Sequence, residues 1–251
     1  MSLLKECISG VKHEGTAEGT TVKFGNWDVY VTLPKGDYPK DKAILLFTDV
    51  FGIQLINNKL MADDFARNGF QVYMPDLFNG DPYPEDYLIN PDCKFDRDGW
   101  KKKHSVGSAW PVVRDMIENL KERGVTAYGA VGFCFGAPFV MTLVQENAIR
   151  AGVFTHPSAM KIPEEFENLI AKSNVPVLFN TCEDDRAFPI ETQAIADEML
   201  GGGKYKPGYQ RTYWKGCKHG FAVRGDMSNP DVKAGKEGAF KATAEFFMAN
   251  V

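Results

Sequence analysis

The sequence predicts an α/β protein, with a mostly parallel, twisted sheet and helices on both faces. Three observations carry this. Short strand-like runs alternate with helix-periodic segments along most of the chain, the pattern of parallel strands joined by crossover helices. The run at 43–47 is apolar throughout, as burial of both sheet faces requires. Finally, Gly132-Phe133-Cys134-Phe135-Gly136 stands between a strand-like and a helix-like run, in the form of a nucleophile elbow.

From the N-terminus, residues 20–33 alternate apolar and polar side chains around Gly25-Asn26 and predict a β-hairpin. A polar loop at 34–42 leads into the strand at 43–47. Residues 57–67 are helix-periodic, with Leu60, Met61, Phe65 and Ala66 on the apolar face, and Asn68-Gly69 stops them. A strand at 70–74 is closed by Pro75-Asp76. Residues 79–103 hold several Pro, Gly and Asp and are expected to be irregular, a substrate-binding loop or lid at a strand end.

Residues 111–123 form the next predicted helix, with Val112, Val113, Met116, Ile117 and Leu120 on one face and Gly124 after it. The elbow strand at 127–131 and its helix at 137–144 follow. Strands at 149–155, 175–180 and 210–214 then alternate with helices at 163–172 and 190–200, and a helix at 234–248 closes the chain. There is no internal repeat, low-complexity tract or interdomain linker, so 1–251 is read as one domain.

The 251 residues suffice for one large core. Hydrophobic content of 44% and charged content of 25% are those of a soluble globular protein. A formal net charge of -4 gives no reason to expect nucleic acid as a partner. No apolar stretch has the length of a membrane span. The start, Met1-Ser2-Leu3-Leu4-Lys5-Glu6, lacks the apolar run of a secretory signal. Cysteines at 7, 93, 134, 182 and 217 are odd in number and show no CxxC spacing, so reduced thiols and a cytoplasmic location are expected. Neither a metal nor an organic cofactor is implied.

The elbow names the nucleophile. Its turn is so tight that residues two before and two after the tip must nearly lack side chains, which Gly132 and Gly136 satisfy. A cysteine at the tip, at a helix N-terminus, suits a thiolate. A cysteine in an apolar run is more often a small buried hydrophobe; the two glycines, the preceding strand and the following helix reverse that preference for Cys134.

In parallel sheets the site lies beyond the carboxyl ends of the strands. After 175–180 comes Thr181-Cys182-Glu183-Asp184-Asp185, and after 210–214 comes Lys215-Gly216-Cys217-Lys218-His219-Gly220. The order nucleophile, acid, base is that of hydrolase triads. His219 is the candidate general base. Asp185 is the candidate acid that orients it, with Asp184 as rival; the distance to Pro189 at a helix start favours Asp185. The oxyanion hole is expected from the backbone N–H groups of Phe135 and Val50. Asp49 follows a buried strand at the mouth of the site, where a plain turn residue or helix cap is the alternative. His156 is a candidate pocket residue, or part of a turn with Pro157. Lys101-Lys102-Lys103-His104 reads as a solvated charged face, with attraction of an anionic substrate as the sharper alternative.

These residues resemble the dienelactone hydrolase (carboxymethylenebutenolidase) family of α/β-hydrolases, in its eukaryotic, fungal-like branch. Asp49-Val50-Phe51-Gly52, Tyr73 to Phe78, Gly132 to Gly136, Asp185 to Pro189 and His219-Gly220-Phe221-Ala222 carry the resemblance, in order. It implies an α/β-hydrolase fold and a Cys134-Asp185-His219 triad. It also implies a carboxylate that pairs with the resting thiol or receives its proton. Asp49 holds that place, one methylene shorter than the bacterial Glu. An arginine that binds a substrate carboxylate is implied near Arg224, which stands one residue further along than in the family. Phe51 is assigned to the substrate site.

The expected activity is opening of a small-molecule ester or lactone through an acyl-enzyme. Two alternatives stand beside it. One is a hydrolase-fold protein that binds a ligand without turnover. The other is a cysteine amidotransferase, disfavoured because Gly220-Phe221 follows His219 where that class has a His-x-Glu pair.

Overall fold

The protein is described here by a computed structural model covering residues 11–90 and 92–251. Cys7 and the segment Met1-Ser2-Leu3-Leu4-Lys5-Glu6 lie outside the described residues. The strands are β1 (Thr20–Phe24), β2 (Trp27–Thr32), β3 (Lys42–Phe47), β4 (Gln71–Pro75), β5 (Ala127–Phe133), β6 (Ala151–Thr155), β7 (Val177–Asp184) and β8 (Tyr209–Lys218). They form one eight-stranded sheet in the order β1-β2-β4-β3-β5-β6-β7-β8. β2 pairs antiparallel with both β1 and β4, and all other pairs are parallel.

The helices are α1 (Ile56–Arg67), α2 (Asp86–Ile89), α3 (Arg97–Lys103), α4 (Val106–Glu122), α5 (Ala137–Gln145), α6 (Glu164–Lys172), α7 (Ile190–Leu200), α8 (Phe221–Arg224) and α9 (Pro230–Asn250). α1 and α9 cover one face of the sheet, joined by α8, while α4, α5, α6 and α7 pack one after another across the other. Every residue of β4, β5 and β6 is buried, which explains their largely apolar sequences. Aromatic contacts hold neighbouring elements together within each layer. Phe65 of α1 meets Phe240 of α9 at 4.6 Å between ring centroids, and Phe154 stacks on Phe179 at 4.4 Å within the sheet. Each such ring, fully buried, contributes roughly 1.5–3 kcal/mol relative to exposure.

The expected elements are present, and their ends differ for local reasons. α4 starts at Val106 and carries Pro111 inside it. Ser105 and Ser108 cap it reciprocally, each side chain accepting the other's backbone N–H, a box without the Glu or Gln that usually announces one. α9 starts at Pro230, behind an Asn229 cap. The 79–103 region is not wholly irregular, since α2 and α3 form there, the latter capped by Asp96 through the N–H of Gly99 at 2.9 Å. β7 and β8 continue to Asp184 and Lys218, with a register irregularity between Cys182 and Asp184. That extension carries both strands to the edge of the site.

Candidate active site

Cys134 sits at the tip between β5 and α5 with φ +50, a left-handed conformation that costs a non-glycine residue about 1 kcal/mol or more. The flanking glycines permit it. A Cβ on Gly132 would lie 2.5 Å from the carbonyl oxygen of Gly136, and one on Gly136 would lie 2.2 Å from that of Phe47. The thiol is fully buried. Its sulfur lies 3.4 Å from the Ser158 hydroxyl, and the Ser158 N–H donates to the Cys134 carbonyl at 3.2 Å.

His219 follows β8 directly, and Asp185 follows β7. The His219 Nδ1–H donates to Asp185 Oδ1 at 2.8 Å. The same oxygen accepts the N–H groups of Ala187 at 2.9 Å and Phe188 at 3.1 Å, so the carboxylate is fixed before it meets the ring. Asp184 is exposed and pairs loosely with Lys218 at 3.9 Å. The structure therefore brings Asp185, and not Asp184, onto His219. Burial opposes charging of the imidazole. The Cys134 sulfur and the Asp185 carboxylate, both hydrogen-bonded to it, outweigh that and raise its pKa to about 10. The other buried thiols are quiet: burial, then Asp185, drives Cys182 far upward, and burial, then Asp231, pushes Cys217 up to about 11.

Val50 and Phe135 take the two positions expected of oxyanion donors, after β3 and after the nucleophile. The Val50 loop is held by Asp49. Asp49 Oδ1 accepts from the Phe51 N–H at 3.2 Å and Asn58 Nδ2 at 3.1 Å. Asp49 Oδ2 accepts from Arg224 Nε at 2.7 Å, with both side chains fully buried. Arg224 is thus held in a buried ion pair and not at the protein exterior. Its guanidinium lies 5.2 Å over the Phe51 ring. It also fills the space beside Gly220, where a Cβ would come within 2.5 Å of Arg224 Nη2. Phe51 is fully buried and meets Tyr83 edge-on at 6.0 Å.

His156 is buried with φ +38, and its ring centroid lies 5.0 Å from that of His219. Neither ring nitrogen has a hydrogen-bond partner. Burial, then the nearby His219 and Arg224, holds its pKa well below the usual histidine value, so it is a neutral imidazole behind the base. The 78–104 segment forms an aromatic cover over the elbow: Phe78 meets Phe135 at 5.1 Å and Trp100 at 5.3 Å. Two lysines and a histidine of that segment are bonded within it. Lys103 and His104 share Asp81 at 2.6 and 2.8 Å, and Lys101 meets Asp98 at 3.4 Å.

Three contributors escaped the sequence reasoning. Ser158 follows His156-Pro157 without a motif of its own. Asn58 lies inside a helix whose apolar periodicity drew the attention. Lys236 of α9 donates to the carbonyls of Ala222 and Val223 at 2.7 and 3.2 Å, and burial lowers its pKa to about 8. It borders a cavity of about 540 Å³ between α1 and α9, whose lining includes Phe133 and Thr155 but not Cys134. Among the described residues, no group of three or more His, Cys, Asp or Glu side chains is placed to hold a metal ion. None of the described helices is long and apolar enough to cross a membrane.

A parallel-sheet fold with these residues at the strand ends defines an α/β hydrolase. The chain belongs to the dienelactone hydrolase family, whose model matches residues 27–251. It is 34% identical to the hydrolase pyvD of Aspergillus violaceofuscus over 242 residues, covering 96% of this chain and 94% of that protein. It is 29% identical to dienlactone hydrolase 1 of Gibberella moniliformis, covering 96% and 91%. The fold is shared with the crystal structure of a putative dienelactone hydrolase from Klebsiella pneumoniae, with a TM-score of 0.72, 15% identity and coverage of 93% and 99%. Family membership supports a lactone or ester hydrolase.

Proposed function

We propose that the protein opens esters or lactones with Cys134 as nucleophile, His219 as base and acid, and Asp185 as the residue that orients His219. The observation that carries this is the 2.8 Å bond from His219 Nδ1 to Asp185, with the other side of the imidazole bonded to the Cys134 sulfur. In the first half-reaction His219 takes the thiol proton and the sulfur attacks the carbonyl carbon. A C–S bond forms, and the C=O π pair moves onto oxygen, facing the N–H groups of Phe135 and Val50. The tetrahedral species collapses, the C–O bond breaks, and the leaving oxygen takes a proton from the His219 imidazolium. In the second, His219 accepts a proton from water as it attacks the thioester, and the C–S bond breaks. The net change is one ester and one water to an acid and an alcohol; for a lactone these are one molecule. Asp49, buried against Arg224 on the loop that carries Val50, opposes ionisation of the thiol through its negative charge.

The test is intact-protein mass spectrometry during hydrolysis of p-nitrophenyl acetate, with three variants compared. Cys134→Ala should lose both the acyl adduct and turnover while remaining folded. Cys182→Ala and Cys217→Ala should keep them. Turnover retained in Cys134→Ala would remove the reading.

A further inference from the structure

We infer that Ser158 is a catalytic residue of the second half-reaction: its hydroxyl donates a hydrogen bond to the Cys134 sulfur as the thiolate is expelled from the acyl-enzyme. This rests on the ester-and-lactone reading and deepens it. The Ser158 Oγ lies 3.4 Å from Cys134 Sγ, and in the resting thiol either atom can donate. A thioester sulfur carries no hydrogen, and neither does a thiolate. From acylation onward, therefore, only the hydroxyl can be the donor.

The main chain holds this hydroxyl in place. The Ser158 N–H donates to the Cys134 carbonyl at 3.2 Å, and the His156 N–H to the Asn180 carbonyl at 2.9 Å. The turn after β6 is thus tied to the elbow on one side and to β7 on the other. Left-handed φ values of +38 at His156 and +65 at Ala159 bracket it, and such conformations persist only where the surroundings impose them. The side chain takes no part in these backbone bonds, and an alanine at 158 would keep them. Among the described residues the Cys134 sulfur is the one hydrogen-bond partner of the hydroxyl.

The two half-reactions use that bond differently. In acylation the sulfur gives an electron pair to the carbonyl carbon, so a donor on the sulfur stabilises the starting thiolate more than the transition state and does not speed the step. In deacylation water has added to the thioester carbon and His219 has taken its proton. The oxyanion then re-forms the C=O bond, the C–S bond breaks, and its electron pair stays on sulfur. Negative charge grows there, and the bond from a hydroxyl already 3.4 Å away strengthens with it. Ser158 keeps its own proton throughout. His219 bonds the sulfur as well, but it must also hold the proton taken from water, whereas the Ser158 hydroxyl has no other task.

The test is pre-steady-state hydrolysis of p-nitrophenyl acetate and phenyl acetate, which give the same acetyl-enzyme, by the intact protein and by Ser158→Ala. In the variant, deacylation should slow at least about tenfold, the loss expected of a hydrogen bond to a charged atom. kcat should fall while kcat/KM changes by no more than about threefold, because only the later step is affected. Both esters should then share one kcat, and the acetyl adduct on Cys134 should accumulate in intact-protein mass spectra. An unchanged deacylation rate overturns the inference. So does a kcat/KM that falls as far as kcat, which is the mark of a misplaced nucleophile. Ser158→Thr keeps the hydroxyl and should deacylate near the wild-type rate; deacylation as slow as in Ser158→Ala overturns the inference too. Absence of both adduct and turnover in the wild-type protein would remove the ester-and-lactone reading instead.

Discussion

The backbone N–H of His219 donates to the carbonyl oxygen of Asp184 at 3.0 Å, while the His219 ring bonds the carboxylate of Asp185. One residue supplies the strand register and the next supplies the side chain. Because side chains alternate across a strand, the pairing of Asp184 with Lys218 turns Asp184 outward and brings Asp185 to the imidazole.

The two neighbouring acids should therefore behave very differently. Asp185→Asn should lower kcat by up to about 10⁴-fold, the cost typical of losing the carboxylate that orients a catalytic histidine. Asp184→Asn should leave kcat near wild type, because its side chain makes only an exposed contact with Lys218. Steady-state kinetics on both variants decides it, and greater damage from Asp184→Asn would reverse the assignment.

The pH profile follows from the raised pKa of His219, about 10. The imidazolium that protonates the leaving group persists through neutral pH and is lost as pH rises through that value. kcat/KM should thus hold through pH 9 and fall near pH 10. In Asp185→Asn the alkaline limb should move to lower pH, since one cause of the upward shift is gone. The profile of kcat/KM for an uncharged aryl ester measures this, and a limb at the ordinary histidine value would contradict the stabilised imidazolium.

Asp49 offers a test of thiol ionisation. Asp49→Asn removes a negative charge and leaves the Arg224 cation uncompensated, and both changes favour a thiolate. The apparent pKa governing iodoacetamide labelling of Cys134 should fall, and labelling near neutral pH should quicken. Labelling rates titrated against pH for both proteins provide the comparison. Identical profiles would mean that the charge of Asp49 is cancelled by Arg224 before it reaches the sulfur.

The elbow should tolerate no side chain at its rear. In Gly136→Ala the new Cβ would meet the Phe47 carbonyl oxygen at 2.2 Å. Since that contact is backbone, β3 or the elbow must shift, at a cost of about 3 kcal/mol. Urea denaturation measures the loss, and a variant as stable as wild type would show that the turn has slack.

The sheet and the elbow were legible because each leaves a local trace: apolar runs for doubly buried strands, and glycines where backbones touch. Cys134, Asp185 and His219 followed from their positions after strands. Other features depend on contacts distant in sequence. Asp49 and Arg224 meet across 175 residues, and no periodicity announces that their charges cancel. Ser158 reaches the sulfur through a turn whose φ values, +38 at His156 and +65 at Ala159, are set by tertiary packing. α4 begins at Val106, five residues before the predicted start at 111, because its Ser105–Ser108 cap lacks the Glu or Gln that marks such a box in sequence.

The space beside Gly220 also constrains how this site can change over generations. Since the Arg224 guanidinium occupies the volume that any larger residue at 220 would need, the two positions form a single heritable unit. A mutation at 220 alone displaces the cation and strands Asp49. A mutation at 224 alone opens a hole beside Gly220 and Phe51 and leaves the same carboxylate bare. A lineage can leave this arrangement only by altering both positions and Asp49 together.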